Sequence, residues 1–181
     1  MISAFNLQPS KAELEKCAED YWTGMSETQR DEEKNTFEAG IAIREGDRTP
    51  ATLQKIVHWK SPRIVPLFDK NSAEAVKAAL DVAVSHTTEA EAMAALIKLR
   101  GVGIPVASAI LTAIYPDRYT VIDFRALEAL GYSDVTFYVA YLDFCRNLAE
   151  QNIVRAQTDR PAPTKLRALD RALWQWSKEN S

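Results

Sequence analysis

Glycine is scarce in this chain, with six residues in 181. That is too few for a fold built from many tight hairpins and bulges. Cysteine is scarcer still. Cys17 and Cys145 lie far apart, match no metal-ligand spacing and offer no framework of bridges. Each falls in a helix-like stretch, which predicts two buried thiols in a reducing compartment. No apolar run approaches the roughly 18 residues of a membrane span. The opening MISAFNLQPSK has no basic and apolar leader pattern, so the reading is a cytoplasmic protein with no membrane partner. Nor is there an excess of positive charge. The formal net charge is −3, which on its face argues against a polyanionic partner.

What is present is helix-forming sequence. Hydrophobic residues make up 46% and charged residues 26%, enough for a core with a solvated surface. Alanine, leucine, glutamate and lysine fill the long segments, which predicts an all-α, multi-helix fold. Helix starts are marked by residue pairs that satisfy backbone amides. Ser10 with Glu13, Ser26 with Gln29, Asn71 with Glu74 and Thr88 with Glu91 have the capping-box spacing. Thr49-Pro50 offers a cap followed by an N1 proline. These signals predict helices from about residue 10 to 22, 26 to 45, 50 to 59, 71 to 84 and 88 to 99. Others follow at 105–114, from Asp123 to before Gly131, at 134–150 and at 164–178. On the last, Leu166, Leu169, Leu173, Trp174 and Trp176 recur at helical spacing and predict docking on the body. Tyr138, Tyr141 and Phe144 form a similar stripe. Charge is uneven along the chain. Residues 1–47 carry 5 basic and 11 acidic side chains, whereas 48–181 carry 17 and 14. The division expected is an acidic helical segment, 1–47, packed on a mildly basic body, 48–181. That pattern fits one DNA-facing surface and equally fits ordinary solvated helix faces.

The informative stretch runs from Leu96 to Leu111. Gly101-Val102-Gly103 forms a turn between two helical runs, with Pro105 in the first turn of the second. Glycine permits the positive φ such a turn needs. The start of the following helix offers amide donors and the positive end of its dipole, which suit a phosphate. Downstream, Tyr119-Thr120-Val121-Ile122 is an extended apolar piece that delivers Asp123 to the mouth of a helix. Asp123 there is a good N-cap, and equally a carboxylate at a pocket edge.

Leu99 to Leu111 followed by Val121 to Arg125 resembles the helix-hairpin-helix and aspartate pattern of the endonuclease III-like DNA glycosylase superfamily. Gly101, Val102, Gly103 and Ala107 match the glycine turn, and Asp123 falls at the family's spacing from it. The resemblance implies an all-α domain that binds double-stranded DNA through the turn Gly101, Val102, Gly103 and Ile104, while Lys98, Arg100 and Arg125 flank the turn and the aspartate as cations placed for phosphate contact. It implies Asp123 as the catalytic group of a base-excision hydrolase. Pro105 stands where bifunctional members carry a nucleophilic lysine, and proline forms no Schiff base. The implied activity is therefore monofunctional cleavage of the N-glycosidic bond of a modified base. No four-cysteine pattern is present, so no iron–sulfur cluster is expected. The backbone carbonyls of Ile97, Leu99 and Val102 match positions that hold a monovalent cation in relatives. Arg100 and Arg125 depart from the family's usual proline and histidine.

Trp59, Lys60 and Arg63 cluster around a helix end and a Ser61-Pro62 break. Trp59 is placed to stack on a base, and Lys60 and Arg63 to hold phosphates; the plain alternative is a core tryptophan between solvated cations. His58 reads as a surface or satisfied core histidine, and Arg118 as a further cation near the aspartate. A non-catalytic module binding DNA or a protein through the same turn is the competing function, and a helical scaffold with 1–47 as docking arm is a third. The reading favours a monomer.

Overall fold

The computed structural model describes residues 5–85 and 87–181. The fold is all-α. Among the described residues the α-helices are α1 (Lys11–Thr23), α2 (Glu27–Arg44), α3 (Pro50–Lys60), α4 (Val65–Phe68), α5 (Ala73–Val84), α6 (Glu89–Leu96), α7 (Ile104–Ile114), α8 (Phe124–Glu128), α9 (Tyr138–Glu150) and α10 (Lys165–Asn180). Short 3₁₀ turns at Pro62–Ile64 and Val135–Phe137 lead into α4 and α9. Among the described residues there is no strand, and no helix is long and apolar enough to cross a membrane.

The caps explain most of these boundaries. Ser10 with Glu13 and Thr88 with Glu91 form complete capping boxes. Ser26 and Gln29 exchange the same pair of bonds, at 3.2 and 2.9 Å. Thr49 caps α3 ahead of Pro50, and Thr164 caps α10. Several boundaries depart from the sequence reading, among them the start of α9, at Tyr138 after a 3₁₀ turn rather than at 134. The fourth predicted helix starts one residue later, with Ser72 rather than Asn71 as its N-cap. The helix expected to reach Leu99 stops at Leu96. The Ser61-Pro62 break is followed by the brief helical turns of 62–68 instead of loop.

The chain divides into two units, one comprising Met1–Arg30 with Pro116–Ser181 and the other Asp31–Tyr115. In the first, α10 packs along α1 and also meets α8 and α9. Its Leu166, Leu169 and Leu173 are buried as expected, while Trp174 and Trp176 are half-buried. The same helix also buries Arg167, Asp170 and Arg171. Arg167 pairs with Asp170 and reaches Tyr21 Oη at 3.1 Å, and Arg171 donates to the Pro161 carbonyl at 2.7 Å. Such charges are tolerated inside only when partnered in this way. Cys17 and Cys145 are both buried free thiols.

In the second unit, α7 is the central element. Every residue from Val106 to Ile114 is buried, against α3 and α6. Close approach of α2 depends on Gly40: a Cβ there would sit 1.9 Å from the Ala113 carbonyl oxygen. Arg44 donates to the Ile114 carbonyl at 2.9 Å, satisfying one end group of α7.

Candidate functional site

The turn from Ile97 to Gly103 joins α6 to α7 within the second unit. Leu99 and Val102 point inward and are buried, whereas Ile97, Lys98, Arg100 and Gly103 are exposed. The Val102 amide donates to the Leu99 carbonyl at 3.1 Å, which closes the turn. Gly101 has φ +82°, the left-handed region that side chains disfavour. A Cβ there would also lie 3.3 Å from the Ile64 carbonyl and the Phe68 amide. Gly103 is different. Its φ of −91° is ordinary, and a Cβ would meet little beyond Pro105. Gly103 acts instead as an N-cap with no side chain. No side-chain hydrogen bond covers the mouth of α7, whereas α1, α3, α5, α6, α8 and α10 are all capped by a side chain. Pro105 has no N–H, so the helix opens on the amides of Ile104 and Val106, which have no partner within it, and this mouth carries partial positive charge beside Lys98 and Arg100.

Asn71, whose spacing to Glu74 predicts a helix cap, instead holds this turn in place. Its amide Nδ2 donates to the carbonyls of Phe68 at 2.7 Å and Arg100 at 3.1 Å. Its Oδ1 accepts from the Arg100 amide at 2.8 Å. One side chain thus clips both backbone groups of Arg100 to the end of α4. No short-range pattern in the sequence signals a bond between residues so far apart.

Asp123 belongs to the first unit. Among the described residues, the stretch Tyr119–Ile122 is buried and forms neither helix nor strand. Two buried tyrosines of α9 pin it: Tyr138 Oη donates to the Thr120 carbonyl at 3.1 Å and Tyr141 Oη to Val121 at 2.8 Å. Burial pushes both phenols well above a tyrosine's ordinary pKa, so they remain donors. Asp123 then caps α8, with Oδ1 accepting from the Ala126 amide at 3.0 Å, and is half-buried. The next residue, Phe124, is 63% exposed. The Arg125 guanidinium lies 5.0 Å from the Phe124 ring centroid and 5.4 Å from that of Trp174, and Arg125 donates to Ser177 Oγ at 3.4 Å. Lys178 continues the stack, 5.2 Å from the Trp174 centroid. In the same unit, Arg118, Arg146 and Lys165 line a cavity of about 460 Å³ together with Asp117 and Glu150.

The residues around α3 lie in the second unit. Trp59 is half-buried and meets Phe37 edge to face at 6.1 Å. Lys60 is half-buried, and His58 and Arg63 are exposed. Trp59 lines a cleft of about 340 Å³ between α2 and α3, not with Lys60 and Arg63 but with Glu32, Asn35, Gln54, Lys55 and His58. The α6–α7 turn and Asp123 therefore belong to different units. Compared with family models, curated proteins and solved structures, the chain matches none.

Proposed function

We propose that this chain binds double-stranded DNA through the α6–α7 turn, acting as a helix-hairpin-helix unit, and cleaves the N-glycosidic bond of a modified base with Asp123. The observation that carries the reading is the mouth of α7. It opens on Gly103 with no capping side chain, on an exposed turn flanked by Lys98 and Arg100. A phosphate oxygen accepts hydrogen bonds from such amides and gains from the helix dipole. Contacts of this kind go to the backbone, so affinity is largely independent of sequence and falls with salt. Arg125, Lys60 and Arg63 supply further phosphate contacts as cations near the aspartate and the α3 end, and the family resemblance adds a monovalent-cation seat at the carbonyls of Ile97, Leu99 and Val102. In the reaction, a water oxygen bonds to C1′ as the C1′–N bond breaks. The base departs with the bonding electron pair, and the carboxylate of Asp123 steadies the positive charge developing on the sugar, takes the water's proton and returns it to the departing base through solvent, which restores the carboxylate. With Pro105 in place of an amine, the product is an abasic site and the strand stays whole.

One observation favours a second reading. The Asp123 carboxylate already serves as the cap of α8, which is the role an aspartate needs in a non-catalytic DNA-binding module. A panel of duplexes with single modified bases, assayed for abasic sites, separates the two. Glycosylase action predicts product that Asp123→Asn abolishes while duplex affinity is kept. Lys98→Glu with Arg100→Glu should weaken duplex binding about tenfold or more and flatten its salt slope by about two. Unchanged affinity in that double variant removes the turn from DNA binding, and turnover surviving Asp123→Asn removes the carboxylate from catalysis.

A further inference from the structure

We propose that the cleft between α2 and α3 is a binding site for a single uncharged nucleobase. Its volume, about 340 Å³, lies at the small end of ligand sites and admits one ring system with its sugar, not an extended polymer. The wall has one large aromatic surface, Trp59, braced edge-on by Phe37 at 6.1 Å. Two primary amides share the lining, Asn35 from α2 and Gln54 from α3, the helix that also carries Trp59. Each carries both a donor and an acceptor, the combination that matches the mixed edge of a base. Gln54 Nε2 donates to Asp69 Oδ1 at 2.5 Å, which fixes its amide before any ligand arrives. Lys55 and Glu32 oppose one another in charge, so the lining favours neither an anion nor a cation. With Trp59 as the one large hydrophobic group, an acyl chain finds little to pack on. A flat ring with hydrogen-bonding edges satisfies both the aromatic face and the amides.

This site does not depend on the duplex contact of α6–α7. The base can come from a free nucleoside or from an unpaired position in nucleic acid, and two arms tell these apart. The first titrates the whole protein with adenosine, guanosine, cytidine and thymidine, read by saturation-transfer NMR and calorimetry. The second compares a fully paired duplex with the same duplex carrying one bulged nucleotide. Binding of a nucleoside, or a preference for the bulge, is expected in at least one arm. Trp59→Ala should lower it about tenfold or more, whereas Trp59→Phe keeps it within about threefold. Asn35→Ala and Gln54→Ala should each weaken it and change which base is preferred, and they serve where Trp59→Ala fails to fold. The proposal is overturned if no nucleoside binds below about 10 mM and the bulge is not preferred. It is equally overturned if binding survives the Trp59, Asn35 and Gln54 alanine variants undiminished. Affinity for the fully paired duplex reports separately on the α6–α7 turn and should be unmoved by these substitutions.

Discussion

At the residue scale the glycines divide by what a side chain would meet. Gly40 lies where α2 touches the α7 backbone, and a Cβ would intrude to 1.9 Å from the Ala113 carbonyl oxygen. Gly40→Ala should therefore destabilise the protein by about 1–3 kcal/mol, the range for overpacking a filled core, although alanine is the better helix former. A urea midpoint equal to or above that of the wild type would contradict the contact. The Gly-Val-Gly turn was legible from the sequence because a left-handed residue is a local requirement. That Gly101 fills it while Gly103 leaves α7 uncapped was not legible, since both glycines look alike in one dimension. The thiols make a second residue-scale case. Burial lifts Cys17 to a pKa of about 11 and Cys145 to about 12, so thiolate is rare at neutral pH. Neither should react appreciably with iodoacetamide at pH 8 until denaturant is added. Rapid labelling of the native protein would show that the thiols are accessible.

At the element scale, helices were readable because capping acts over three or four residues. Thr88 and Glu91 open α6 as their spacing predicted, and that helix leads directly into the turn. Asn71 was misread for an equally physical reason. It has the composition of a cap, and Ser72 beside it takes that role, which leaves the Asn71 amide to bind Arg100. Asn71→Ala should release this clip. Loss of hydrogen bonding worth about 1 kcal/mol predicts roughly fivefold faster native-state exchange at the Arg100 amide. Exchange at the wild-type rate would show that the turn holds itself without Asn71. The same principle limits what could be read of α10. Its apolar stripe was evident, but the i,i+3 pair of Arg167 with Asp170 gave no sign of being buried, and the further partners, Tyr21 for Arg167 and the Pro161 carbonyl for Arg171, lie outside the helix.

At the scale of the whole molecule, titration sets a window of stability. Hydrogen bonds lower the folded pKa of Glu13, Asp47, Asp81, Asp134 and Glu91, the last to about 2 through Thr87 and Thr88. In the unfolded chain these groups take protons near their ordinary values, 4.5 for Glu and 3.8 for Asp. Between the two values the unfolded state binds more protons, so their contribution is present above about 4.5 and is lost as pH falls toward 2. Cys17, Cys145, Tyr138 and Tyr141 are shifted upward by burial. Their contribution is complete below the ordinary thiol value of 9.0 and declines as pH rises through the folded values. Thermal melting followed by circular dichroism should show a plateau between about pH 5 and 9 with a fall on either side. A melting temperature at pH 3 equal to that at pH 7 would contradict the acid limb. The helical character of the chain and the starts of most helices follow from local sequence alone, because periodicity and caps depend on neighbours within a turn. Only the tertiary structure decided that Asp31–Tyr115 forms one unit while the flanking segments form another. It alone placed Trp59 in a cleft with α2, and it alone gave Asn71 its partner. Those outcomes rest on contacts between residues distant along the chain, which no local pattern encodes.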